Sequence, residues 1–201
     1  NKASARWQNF MRKHSNDKYY LQLDIRKYYY NINHNILRNF ISKKISDERI
    51  VNLIMLFVDT VKGIGLFVGN VLSQLFGLIY LSPLDHFIKR VLKIKHYIRY
   101  VDDFVLVGLE KSEAHILKSK IESFLKDNLN LELSKFRIAK IKQGCNFVGF
   151  RTWKRVKFIR KHTLHNFSKA VKLQKEASII SILGHAKHSS SHKYLISKLG
   201  A

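Results

Sequence analysis

The sequence predicts an α+β fold in which an antiparallel sheet packs on helices, and three observations carry that prediction. Residues 96–108 (HYIRYVDDFVLVG) set Asp102 and Asp103 between two runs rich in aromatic and β-branched residues, the pattern of two short strands joined at an acidic tip. Residues 19–25 (YYLQLDI) alternate, so Leu21, Leu23 and Ile25 share one face of a strand while Tyr20, Gln22 and Asp24 share the other. Around these strands, apolar residues recur at helical spacing in several long stretches.

Composition narrows the class. A chain of 201 residues with 46% hydrophobic content suits one large domain, or a domain with a small appendage, and can bury a core. Lys and Arg number 37 against 14 Asp and Glu, a net charge of +23, so the expected partner is a polyanion. Nucleic acid fits first, because each neutralised phosphate releases counterions. A basic surface for acidic lipids or ribosomes is the blander reading. The single cysteine, Cys145, excludes an intramolecular disulfide and a cysteine-rich zinc site, and suits a reducing compartment. No secretory leader opens the chain, and the start at Asn1 suggests sequence lost upstream. Residues 63–84 lack charge over a length that could cross a bilayer, but Asn70, Ser73, Gln74, Ser82 and Pro83 would need partners in lipid. No membrane role is expected.

Taken in order, residues 1–15 read as a basic helix bearing Trp7, Phe10 and Met11. The strand at 19–25 follows, then Arg26 and Lys27 and the aromatic run Tyr28, Tyr29 and Tyr30. Ile36, Leu37, Phe40, Ile41 and Ile45 mark a helix, and Ser46 or Asp47 caps a second one carrying Ile50 to Val61. Both read as core. In residues 65–76 (GLFVGNVLSQLF), Gly65 and Gly69 permit close backbone approach, while Asn70, Ser73 and Gln74 supply polar groups. An amphipathic helix kinked at Pro83 comes next. Beyond the acidic hairpin, Ser112 can cap a helix bearing Ala114, Ile116, Leu117, Ile121, Phe124 and Leu125. Strands at 131–134 and 137–141 then frame Lys135. From Lys154 onward Lys, Arg, His and Ser dominate, as strand and then helices, making a basic track for phosphates and sugars. His185, His188 and His192 have a spacing that could suit a metal, without an acidic residue or cysteine beside them.

Two adjacent carboxylates at a tight turn repel one another unless a cation stands nearby. Asp24 offers a third on another strand, and neighbouring strands of one sheet could bring Asp24, Asp102 and Asp103 together around two Mg²⁺ ions, with Mn²⁺ possible in their place. The backbone carbonyl of Ile25 is a further candidate ligand. Such a pair of ions clamps the attacking and leaving oxygens of a phosphoryl transfer. Each aspartate alone could be a plain turn residue. The combination favours chemistry.

LDIRKYYYNI at 23–32, GLFVGNVLSQLF at 65–76 and YVDD at 100–103 resemble the first, second and third catalytic motifs of reverse transcriptases, in order and spacing. Within that family the chain is most similar to the enzymes of diversity-generating retroelements, through DIRKYY, the GN and SQ pairs, YIRYVDDFVL and SILGHAKH at 181–188. Group II intron and retron enzymes are the rivals. The resemblance implies a right-hand polymerase palm with a partial basic helical thumb, and fingers largely missing. It divides the chain into a connecting helix at 1–18, palm at 19–143, a primer-grip-like hairpin at 144–154 and partial thumb at 155–201. It implies an RNA-directed DNA polymerase that uses template RNA, RNA/DNA duplex and deoxynucleoside triphosphates, in a cytoplasmic, prokaryotic or phage-encoded setting, with a small basic accessory protein.

The same resemblance assigns roles. Asp24 and Asp102 bridge both ions and Asp103 supports them, while Lys135 matches the lysine proposed to protonate pyrophosphate. Lys140 and Lys142 compete for that role, as does a plain solvated strand. Tyr29 matches the steric gate beneath the incoming sugar, with Arg26 and Lys27 beside it. Val68, Gly69, Asn70 and Gln74 lie where the nascent pair would sit. Val68 replaces a glutamine common in replicative members, which implies low fidelity, and Phe67 replaces the usual proline. Two other readings stand beside this one: a catalytically incomplete fragment that binds RNA or a partner, and a defence-type reverse transcriptase that extends without template.

Overall fold

The computed structural model describes residues 2–61 and 63–199. In chain order these form α1 (Lys2–Arg12), β1 (Tyr19–Ile25), α2 (His34–Ser42), α3 (Glu48–Val58), α4 (Val71–Tyr80) and α5 (Ser82–His86). There follow β2 (Tyr97–Tyr100), β3 (Asp103–Leu109), α6 (Lys111–Leu129), β4 (Leu133–Lys140), β5 (Cys145–Phe147), β6 (Phe150–Thr152) and β7 (Lys157–Ile159). The last elements are α7 (Lys161–Lys172), α8 (Glu176–Ala186) and α9 (His192–Ser197). The chain divides into two compact units, residues 20–138 and residues 1–19 with 139–201.

In the first unit the sheet runs β2-β3-β1-β4, so two strands distant in sequence, β1 and β3, lie side by side at its centre. Alternation in β1 buries Leu21, Leu23 and Ile25 and leaves Gln22 and Asp24 half-buried on the opposite face. The buried face joins a core with Leu37, Met55, Phe76, Tyr80, Phe104, Leu106, Ile121 and Leu125. Helix starts are set by side chains that accept orphan amides: Asn33 from Ile36, Asp47 from Arg49 and Asn70 from Leu72. For α6 the cap is Glu110, in a capping box with Glu113; Ser112, the expected cap, lies inside the first turn. Asn130 ends that helix in the left-handed region at φ 50°.

Residues 71–91 have the length and apolar character of a membrane-crossing helix, yet only 39% of that window is buried. The run is broken at Leu81, Pro83 sits in the first turn of α5, and Phe87–Val91 form a π-helical turn. The amphipathic character expected of this stretch is seen: Phe76, Tyr80, Leu84 and Ile88 enter the core while Val71, Leu75 and Leu78 stay exposed. Lys135 also departs from expectation. It lies within one continuous strand, β4, and not between two.

In the second unit β5, β6 and β7 form an antiparallel sheet. Val148 and Gly149, at φ 47° and 82°, make the two-residue turn between β5 and β6, the geometry that suits a right-handed hairpin twist. Phe150, Ile159, Phe167, Ala186 and Leu195 form its core, and Cys145 is wholly buried. Trp7 of α1 meets Phe147 edge to face, with ring centroids 6.2 Å apart. His185 stacks on Phe150 at 4.4 Å, which gives this histidine a packing role.

Candidate active site

Asp102 and Val101 form the turn of the β2–β3 hairpin, whose register pairs Tyr100 with Asp103. Asp24 lies on β1, the strand next to β3. Asp102 is half-buried, and burial raises its carboxyl above the usual range; its own backbone amide opposes this, and the charge of Asp24 raises it further. The Asp24 carboxylate thus acts on Asp102 across the sheet. The Ser134 hydroxyl, on β4, donates to the Asp24 carboxylate and lies 3.3 Å from the Asp24 carbonyl oxygen. Asp103 accepts a hydrogen bond from Gln22 Nε2 at 3.0 Å.

Two carboxylates close enough for the charge of Asp24 to act on Asp102 are a donor set for a hard cation. Asp103 is turned to Gln22, and among the described residues no group of three or more His, Cys, Asp or Glu side chains is arranged to hold an ion. The site is therefore the pair Asp24 and Asp102, with Asp103 beside it. Ile25 is buried at the end of β1.

Tyr29 lies near Asp102. Its phenol is raised first by burial and then by the charge of Asp102. Its ring packs on Tyr28 at 5.2 Å and over Gly77 of α4, where a Cβ would come within 3.0 Å of the Tyr29 ring. Tyr28 is fixed beneath it by a 2.5 Å hydrogen bond to the Gly77 carbonyl. Lys27, exposed and left-handed at φ 43°, precedes this aromatic turn. Arg26 pairs at 3.3 Å with Glu132, both largely exposed.

The loop at 63–69 is tied to the same aromatic turn. Leu66 donates to the Tyr29 carbonyl at 2.7 Å and Gly65 to the Ile32 carbonyl at 2.8 Å. Gly65 has φ 93°, and a Cβ there would lie 2.9 Å from the Tyr30 carbonyl oxygen, so both conformation and space demand glycine. The buried His34 ring bridges Asp59 at 2.8 Å and the Gly65 carbonyl at 2.7 Å. Val68 is 52% exposed at the loop tip, next to Gly69 at φ 108°, and Gln74 is exposed on α4. Asn70 and Ser73 do not present themselves as expected: the Asn70 oxygen caps α4, and Ser73 is buried. Lys135 is exposed on β4, one residue past Ser134.

Sequence reasoning missed Ser134, His34 and Asp59. Nothing local marks them, because each acts on a residue far along the chain. The alternation that exposed Asp24 also placed Gln22 on the same face, and that signal could have found it.

A family model described as reverse transcriptase (RNA-dependent DNA polymerase) matches residues 1–152. No curated protein matches the chain. Among solved structures, apo telomerase from Candida tropicalis truncated from its C-terminal domain is similar with a TM-score of 0.62 at 17% identity, over 79% of this chain and 40% of that one. Telomerase from Candida albicans in complex with the TWJ fragment of telomeric RNA gives 0.61 at 12% identity, over 98% and 43%. The foamy viral protease-reverse transcriptase in complex with RNA/DNA hybrid gives 0.52 at 17% identity, over 96% and 25%. The chain thus spans less than half the length of these structures, and the likeness is one of fold. With a family match over three quarters of its length and the α+β polymerase-core fold, the chain belongs to the reverse transcriptase family.

Proposed function

We propose that this chain is the catalytic core of an RNA-directed DNA polymerase that copies a template RNA into cDNA, with low fidelity, in a retroelement of the diversity-generating kind. The observation that carries the reading is that Asp24 on the central strand β1 and Asp102 at the turn of the β2–β3 hairpin lie close enough to interact, with Tyr29 near Asp102. Mg²⁺, or Mn²⁺, would be held by Asp24 and Asp102, with Asp103 as a supporting carboxylate and the Ile25 carbonyl as a further ligand. Bound there, it supplies charge neutralisation for phosphoryl transfer.

The chain's own residues do the rest. Ser134 orients the Asp24 carboxylate and Gln22 orients Asp103. The Tyr29 ring, braced from below by Tyr28 and Gly77, is a rigid wall that favours a deoxyribose over a ribose. Val68 at the loop tip offers apolar surface where a glutamine would hydrogen-bond the nascent pair, and loss of that bond weakens rejection of mismatches. The net charge of +23 favours an RNA/DNA duplex as partner, and contacts from the basic residues 154–175 would go to backbone phosphates. A small basic accessory protein, a cytoplasmic setting and Lys135 as proton donor complete the proposal.

The test is primer extension by purified protein with deoxynucleotides and Mg²⁺, with and without RNA template, followed by sequencing of the products. Template-dependent cDNA with frequent mismatches is expected, and Val68→Gln should lower the mismatch frequency. Extension that ignores the template would favour the defence-type reading, and no extension would defeat the enzyme reading.

A further inference from the structure

The turn that presents Asp102 holds an unusual residue. Val101 has φ 59°, in the left-handed region, as the first central residue of a two-residue hairpin turn. That position normally takes glycine, and a β-branched side chain there is disfavoured by its own Cβ. Such a conformation persists only where the surroundings over-determine it.

Arg99 supplies the constraint. Its Nη1 donates to the Val101 carbonyl at 2.9 Å, while Nε and Nη2 make a fork onto Asp85 at 2.8 and 2.5 Å. Asp85 belongs to α5, next to the core residue Leu84, and also accepts from the Tyr97 hydroxyl at 2.6 Å. The Arg99 side chain is only 10% exposed and that of Asp85 35%, so the guanidinium is shielded from solvent and the carboxylate partly so. All three guanidinium nitrogens are thereby engaged, two with a helix and one with the strained turn.

We propose that Arg99 is a positioning residue: anchored by Asp85 and Tyr97, it locks Val101 in the left-handed region and so fixes the Asp102 carboxylate opposite Asp24. This inference rests on the polymerase reading of the site, but it concerns the turn and not the reaction. Arg99→Lys is the discriminating change, since an ammonium can keep the charge pair with Asp85 yet cannot reproduce the fork and the bond to Val101 together.

The experiment is a double-mutant cycle on wild type, Arg99→Lys, Val101→Gly and the double variant, read by Mn²⁺ binding without substrate and by the Mg²⁺ dependence of primer extension. Arg99→Lys should weaken Mn²⁺ binding about tenfold and lower kcat about 10- to 100-fold, with the KM for deoxynucleotide within about twofold of wild type. Glycine needs no lock at φ 59°, so in the Val101→Gly background the Arg99→Lys penalty should shrink to about twofold or less. Equal penalties in both backgrounds, or unchanged Mn²⁺ affinity, would overturn the proposal. Should Arg99→Lys fail to fold, Tyr97→Phe removes only the hydroxyl that steadies Asp85, and about threefold weaker Mn²⁺ binding is expected, unchanged binding being the adverse result. A wild type that binds Mn²⁺ but extends no primer defeats the polymerase reading while the cycle still decides this one. A wild type that binds no Mn²⁺ overturns both.

Discussion

Asp102→Asn should make the protein more stable and inactive at once. Burial first, and then the charge of Asp24, hold the Asp102 carboxyl above its ordinary 3.8 in the folded state. Between the unfolded and folded values the native state binds more protons than the unfolded one, so stability falls as pH rises through that window. At neutral pH the full penalty is present. Asparagine carries no charge and escapes it. The group is only half-buried and solvent screens part of the repulsion, so the gain is about 0.5–1 kcal/mol. For a chain of this size that corresponds to a Tm rise of about 1–4 °C at pH 7.5 in chelator. The assay is calorimetric or fluorescence melting of both proteins from pH 7.5 down to pH 3.5. The difference should close as pH falls toward 3.8, and adding Mg²⁺ at neutral pH should raise the wild-type Tm alone. A variant that melts at or below wild type at neutral pH, or whose advantage survives in acid, would refute the reasoning.

Two further outcomes follow from the same geometry. Tyr29→Ala removes the wall that Tyr28 and Gly77 brace, and should raise ribonucleotide relative to deoxynucleotide incorporation about 10- to 200-fold in competition assays; unchanged selectivity would show that the ring is mere packing. Gly65→Ala puts a Cβ 2.9 Å from the Tyr30 carbonyl oxygen at φ 93°, and should cost about 2 kcal/mol or more in denaturant melts, where a change below about 0.5 kcal/mol would contradict the docking of this loop.

Much of the site could be read from the sequence because its signals are local. Adjacent carboxylates between β-rich flanks announced the hairpin tip, and alternation from Leu21 to Ile25 put Asp24 on the open face, although Tyr20, expected on that face, is buried. Asp47 announced the start of α3. The failures have physical causes too. Ser112 offered the favoured cap chemistry, but the Glu110–Glu113 box satisfies two amides reciprocally and moved the start. Polar residues near Lys135 imitate a turn, whereas an edge strand tolerates them because one side faces solvent. Asn70 resembled a ligand-facing amide because a cap and a contact residue look alike in sequence. Residues that act through tertiary structure, such as Ser134 on Asp24 or His34 on Gly65, leave no periodic trace.

The claim on which everything else depends is that Asp24 and Asp102, far apart in the chain, serve one reaction centre. Single-turnover primer extension on an RNA template, comparing wild type with Asp24→Asn and Asp102→Asn at matched folded concentration, tests it most directly. The account predicts that wild type extends in Mg²⁺ and that each substitution alone slows extension by about 10³-fold or more. Extension by either variant at the wild-type rate would contradict it.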